Sequence, residues 1–496
     1  TLGSRIIKIG DRQMTAPLIE VEEIELYERD VILRLPFRFG VVTLREAPQA
    51  FARVRVRGAD GRSEWGTGAE VLAPKWFDKD ESLTNEDNFD QLRTTLSLAR
   101  NAFLAAGQVT AFGLPVSTHH DHTLASRLKG LKPLVASYGP ALLNKAVIDA
   151  LCKLENVSFY QAIKSNLPGL LAGEMTPDLK GFDIDGFLAN LTPANTIHAR
   201  HTVGMIDPLV AADQSGSDRV NDGLPETLEE IVRYYGHKYF KIKVGGDIDA
   251  DIKRLTAIAS VLDAEAGDYH LSLDGNEQYE DAAGVVELLD AMDGNPALKR
   301  FNGNILFIEQ PIKRAMALKE DVGAIASRYP VIIDESDGSF DAFPEARLRG
   351  YRGVSSKTCK GFYKAILNTA RTKCWSAEEG PDKPDYFMSA EDLTIQAGPG
   401  LQQDLALINL LGLTHVERNG HHYVHGMTGA GAPAAEQAAF AAAHPQLYRR
   451  EGDETFVRIE DGMLDLRSLD CPGFASGVEP DWPSMREMNL EIKDFS

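Results

Sequence analysis

Five strings in this chain each carry an apolar run into charged side chains. They are YFKIKVGG with Lys241 and Lys243, YHLSLDGNEQY with Asp274, ILFIEQPI with Glu309, PVIIDES with Asp334, and GVSSKTCKG with Lys357. Burying an unpaired carboxylate is costly, so acids that follow apolar strands need a purpose. One such acid alone would read as a helix cap or a solvated loop group. Three on consecutive strands, separated by helices, read as one site that holds a divalent cation. Hard oxygen donors favour Mg²⁺ over zinc. Lys241 and Lys243 are two apart and so share a strand face. Mutual repulsion and partial burial of two such ammonium groups predict lowered pKa values and a usable base. By strand order, Lys357 reaches the same centre from the far side of the metal. Its rivals are Lys360, read as a loop residue, and Lys364, read as part of the following helix. The implied chemistry is metal-assisted removal of a proton beside a carboxylate.

These groups need a scaffold that brings strand ends together. From about residue 198, short apolar strands alternate with amphipathic helices: HTVGMID, FKIKV, LSLDG, LFIEQ, VIIDES, VSSK, YFMSAEDL and THVERN each lead into a connecting segment. Continuous apolar strands between helices mean a parallel sheet, and eight of them suggest a closed α/β barrel with its site at the C-terminal mouth. An open doubly wound sheet lacks support, because no GxGxxG follows the first strand. The expected barrel spans 193–429. Before it, IEVEEIELYERDVILRLPFRF and FARVRVRGADGRSEWGTGAEVLA read as antiparallel strands, with ADG and GTG as tight connections. Residues from about 85 to 165 read as helices by their apolar spacing. This α+β unit, 1–190, completed by 430–496, is the expected capping domain.

The 496 residues exceed one ordinary core, and the net charge of −21 argues against nucleic-acid and polybasic membrane partners. No apolar run approaches a membrane span. The four cysteines are scattered without a CxxC, and TLGSRIIKIGDRQ lacks the apolar core of a secretion signal; both predict a reducing, cytoplasmic setting. The HHDH string at 119–122 reads as a surface loop. The expected partners are a small-molecule carboxylate substrate and further copies of the chain in a homo-oligomer.

FKIKV, SLDGN, FIEQPI, IIDES and the strand-six lysine together resemble the enolase superfamily, nearest its muconate-lactonizing-enzyme-like branch, which is related to mandelate racemase. LPFRFGVVTLREAP, VRVRG and GTGAE resemble that superfamily's capping domain and its specificity loop. The resemblance implies that Asp274, Glu309 and Asp334 hold Mg²⁺. It implies that Lys243 and Lys357 are the acid/base pair, and that Lys241 helps hold the substrate carboxylate. There are departures. KTCKGFYK lacks the usual glycine pair after the lysine. VERNGHHYV lacks the strand-eight Asp-x-Asp of dipeptide epimerases, and MSAEDL lacks the strand-seven histidine of the racemase mechanism. Phe39 in the cap loop, Asn276 beside Asp274, Glu391 and His421 are the expected substrate contacts. The expected reaction runs through an enediolate, as a racemase, epimerase or cycloisomerase. The alternatives are a lyase on the same intermediate and a non-catalytic barrel that binds an acid or a protein.

Overall fold

The computed structural model describes residues 6–9, 12–39, 42–393 and 396–496. Three antiparallel strands, β1 (Ile19–Phe39), β2 (Val42–Gly58) and β3 (Ser63–Val71), form the cap sheet together with a short fourth strand from the tail. Its binary pattern explains it. In RVRVR, Val54 and Val56 are buried, while Arg53 and Arg57 pair across the outer face with Glu25 and Glu20. Helices α1 (Asn85–Ala105), α2 (Gly113–Leu128) and α3 (Pro133–Leu154) cover the inner face. Thr84 starts α1 with a reciprocal capping box to Asp87.

Two sequence expectations are corrected here. ADG is a turn, but GTG lies inside β3. A Cβ on Gly66 would come within 2.0 Å of the Ala146 carbonyl oxygen, so these glycines admit the backbone of α3 against the sheet. HHDH lies in α2, with His122 buried, because its first and last residues continue the helical period of the segment.

The second unit is a parallel barrel. Its strands are β4 (Thr196–Val203), β5 (Tyr239–Lys243), β6 (His270–Asp274), β7 (Ile305–Glu309), β8 (Val331–Ile333), β9 (Gly353–Ser356), β10 (Phe387–Ala390) and β11 (His415–Arg418). Hydrogen bonds join them in the order β10-β9-β8-β7-β6-β5-β4-β11, so consecutive strands are neighbours and the first pairs with the last. Between β10 and β11 the described residues show no ladder. There, the Asp392 amide donates to Glu417 Oε2 (3.1 Å) and the Asn419 amide to Asp392 Oδ2 (2.8 Å). Register pairs Lys243 with Asp274 and Asp274 with Glu309, which aligns three strand-end groups in one layer. The tail serves both units: Met463–Asp465 pairs with β4, and Arg486–Glu487 pairs with β1. Among the described residues no helix is long and apolar enough to cross a membrane, and all four cysteines are free.

Candidate active site

The mouth of the barrel gathers all six strand-end groups that the sequence singled out. Lys241 is central. Its Nζ donates to Glu309 Oε1 (2.8 Å), Glu391 Oε2 (2.9 Å) and Glu417 Oε2 (2.9 Å), and lies 2.9 Å from Asp274 Oδ2. Lys243 Nζ donates to Asp274 Oδ2 (2.6 Å) and Asn276 Oδ1 (2.5 Å). On the other side, Lys357 pairs with Asp334, which also takes Lys360 at 3.1 Å. Alternation along the strands puts these groups inward and leaves Phe240 and Ile242 buried toward the helices.

The electrostatics correct one expectation. Burial works against charge on Lys241, but Asp274, Glu309, Glu391 and Glu417 carry its pKa well above the ordinary lysine value. Lys357 is likewise raised, by Asp334 against burial and against Lys241. Surrounding anions outweigh lysine–lysine repulsion. Burial would raise Asp274 and Asp334, yet the neighbouring lysines lower both. Glu309 behaves differently. Burial, then Asp274 and Glu391, push its carboxyl well above the usual range.

That difference tests whether a cation fits. Glu309 Oε2 is buried with no hydrogen-bond partner among the described residues. An orphaned carboxylate oxygen, among acids that repel its charge and lysines already shared, suits a positively charged hard ligand. Asp274, Glu309 and Asp334, on three consecutive strand ends, are the residues that would supply oxygen donors to such an ion, a donor set of the kind that suits Mg²⁺.

Sequence reasoning did not find several supporting residues. Trp76 of the cap lies under Lys357, its ring centroid 4.7 Å from Nζ. Phe37, Leu44, Ala73 and Trp76 close one side of a small pocket whose other side is Lys241, Lys243, Asn276, Asp334, Lys357 and Asn419. Arg200 of β4 is fully buried, donates to the Ala390 carbonyl (3.0 Å) and pairs with Glu391. The signal was available: HARHTV places an arginine inside an otherwise uncharged barrel strand. Lys79 reaches Glu277 at 2.6 Å and donates to the Asn276 carbonyl at 2.7 Å; nothing in its local sequence marks it. Asn276, Glu277 and Gln310 all have positive φ, at 41°, 67° and 33°. Such strain at non-glycine positions gathers where side chains must be aimed. Gln310 then receives the amides of Asp334 (2.9 Å) and Ser336 (3.1 Å) on its side-chain oxygen.

The expected substrate contacts divide. Asn276 lines the pocket. Glu391 is fully buried beneath it, committed to Lys241 and Arg200. His421 is misplaced by the sequence reading. It follows β11 on a helical turn that carries its ring against His237 and His201, away from the pocket lining. The side chain of Phe39 lies outside the described residues. Lys360, read as a loop residue, lies on the short turn between β9 and the next helix and is buried, with Ser355 Oγ at 2.8 Å. A larger cavity, lined by Leu35, Pro208, Lys253 and Arg254 among others, contains none of the strand-end acids or lysines, whereas the smaller pocket holds Lys241, Lys243, Asp334 and Lys357 and is the candidate site.

Residues 223–359 match the enolase C-terminal domain-like family. Solved structures share the fold across nearly the whole chain. A dipeptide epimerase from Enterococcus faecalis V583, complexed with Mg and the dipeptide L-Leu-L-Tyr, is 17% identical with a TM-score of 0.57, covering 92% of this chain and 99% of its own. A muconate lactonizing enzyme from Pseudomonas fluorescens, complexed with muconolactone, is 16% identical with a TM-score of 0.54, covering 94% and 98%. An N-succinyl Arg/Lys racemase from Bacillus cereus ATCC 14579 is 17% identical with a TM-score of 0.56, covering 94% and 96%. A comparison with curated protein sequences finds no match.

Proposed function

We propose that this chain, whose residues 223–359 match the enolase C-terminal domain-like family, is an enolase-superfamily enzyme that abstracts the α-proton of a carboxylate substrate with the help of Mg²⁺. The observation that carries the proposal is the placement of Lys243 and Lys357. Both line one pocket, each paired with a different acid, Asp274 and Asp334, and Glu309 with its orphaned oxygen lies between those acids on the intervening strand. A cation held by Asp274, Glu309 and Asp334 supplies positive charge where the substrate carboxylate gathers negative charge, the kind of preorganised stabilisation that usually dominates. Lys241 adds a fixed ammonium beside it. Carboxylates shared with a cation hold lysine protons less tightly, so Lys243 and Lys357 become exchangeable acid/base groups on opposite sides of a planar enediolate.

Two lysines that exchange protons on opposite faces give a racemase or epimerase. The same pair serves a cycloisomerase. A lyase is the second reading, favoured by the pairing of Asp334 with Lys357, which keeps that group protonated, the form that can donate to a leaving group once a cation draws on Asp334. The ligands bound in the similar structures, a dipeptide and a lactone, set the range of substrates to screen. Incubation with Mg²⁺ and a library of acid sugars, amino-acid derivatives and lactones in deuterated water should give α-hydrogen exchange with one class. Product identity then separates isomerase from lyase. Tight binding of an acid with no exchange and no product would leave only a binding role, against the proposal.

A further inference from the structure

The fold brings three histidines together outside the barrel lumen. His201 is on β4, with its neighbours Arg200 and Thr202 reaching inward to Glu391 and Glu417, so its own side chain takes the outer face. His237 lies two residues before the start of β5, and His421 is on the helical turn after β11. One nitrogen from each ring lies within 4.8 Å of the others, and all three residues are buried. His237 Nδ1 faces the Ala199 carbonyl oxygen at 3.1 Å and must donate to it, which leaves a lone pair on Nε2. That lone pair points at His421 Nε2, 3.3 Å away. Two nitrogens on one tetrahedral Zn²⁺ at about 2.0–2.1 Å stand roughly 3.3 Å apart. A backbone carbonyl that receives the second ring N–H is the usual way to orient a metal-bound imidazole. The other two rings are short of partners: His201 Nδ1 and His421 Nδ1 are buried with none among the described residues. A small cavity lined by Tyr235, Gly420, His421 and Phe456 adjoins the trio.

We propose that His201, His237 and His421 form a second metal site, for a borderline transition cation such as Zn²⁺, that joins the first and last barrel strands on their outer side. Imidazole donors select against Mg²⁺, so the two centres take different ions. The ion ties β4, the entry to β5 and the exit of β11 at the seam where the barrel closes, and its role is structural.

The test uses the full chain stripped with chelator and titrated with Zn²⁺ alone. One equivalent should bind, raise the melting temperature and show an imidazole-nitrogen shell at about 2.0–2.1 Å by X-ray absorption. His237→Gln and His421→Gln should each weaken uptake by at least the ~10–100-fold that loss of an outer partner costs, while Glu309→Gln keeps it. No uptake by the wild type, an oxygen-only shell, or uptake lost in Glu309→Gln and kept in both histidine variants overturns the proposal. If a histidine variant does not fold, the absorption spectrum of the zinc-loaded wild type decides. Failure here leaves the lumen chemistry untouched, since that is read by α-hydrogen exchange with Mg²⁺.

Discussion

At the scale of single residues, charge decides more than shape. Glu309 is held among Asp274, Glu391 and Asp334 with Lys241 as its nearest cation, so its ionised form is disfavoured. Glu309→Gln keeps the size and removes that conflict. Mg²⁺ affinity by calorimetry should fall and exchange should vanish, while the melting point without metal stays within a few degrees, the effect of about 1 kcal/mol or less. Full turnover of the variant in chelator would reject the metal assignment. Lys243 and Lys357 are tested by stereochemistry. Lys243→Ala and Lys357→Ala should each lose about 10²–10⁴-fold in turnover, the usual worth of a positioned acid or base. Each should retain α-hydrogen exchange with one stereoisomer only. Equal loss with both isomers would point to one base and an electrostatic role for the other lysine. These residue identities were legible in the sequence because acids and lysines are rare at the ends of apolar strands. Their protonation was not, because it depends on Glu391 and Glu417, which arrive from strands far along the chain.

At the scale of elements, the cap and barrel meet through Arg314. Its guanidinium donates to the carbonyls of Trp76 (2.8 Å) and Phe77 (2.9 Å) and to Glu277 (2.8 and 2.9 Å). Glu277 is mostly buried, and burial would raise its pKa, but Arg314 and Lys79 hold it down. Arg314→Ala leaves that carboxylate to Lys79 and the backbone amide of residue 314, and frees the segment that places Trp76 under Lys357. Because Arg314 is partly exposed, the cost belongs at or below the low end of the ~3–5 kcal/mol for a broken buried pair. Urea unfolding measures it. On the substrate found by exchange, KM should rise more than kcat falls; unchanged kinetics would mean that the cap contact only supports the fold. The eight strands were readable because each is a short apolar run between turn signals, and parallel strands buried on both faces keep that pattern. GTG misled because a glycine pair marks a close backbone approach as readily as a turn. HHDH misled because polar residues on an exposed helix face read like a loop.

At the scale of the molecule, the histidines of the closing seam make stability depend on pH. Burial lowers the pKa of His422 to about 3, with Arg34 acting in the same direction, and burial lowers His237 to about 4. His201 and His421 are depressed by burial and by the neighbouring rings. The groups facing His422 are His201, His237, Tyr423, Arg34 and Asp222. None of this was visible in the sequence, since His201, His237 and the pair at 421–422 come together only when the first strand meets the last. In the unfolded chain a histidine titrates near 6.5. Below that pH the unfolded state binds protons that the folded state refuses, so acid favours unfolding until pH falls through the folded value. Raised carboxyls act in the opposite sense, because Glu309, Glu335, Asp207 and Asp251 keep protons better when folded. The whole-protein slope therefore mixes both signs, and a difference between two proteins isolates one group. His422→Asn removes one titrating ring that belongs to neither the lysine–carboxylate site nor the histidine trio. Between pH 7.5 and 5.5, in chelator, the wild type should lose about 1.4 kcal/mol more stability than the variant, the linkage of one proton over that window. Urea unfolding at the two pH values measures this directly. An equal change in both proteins would show that His422 titrates normally when folded, and that the seam is open to water.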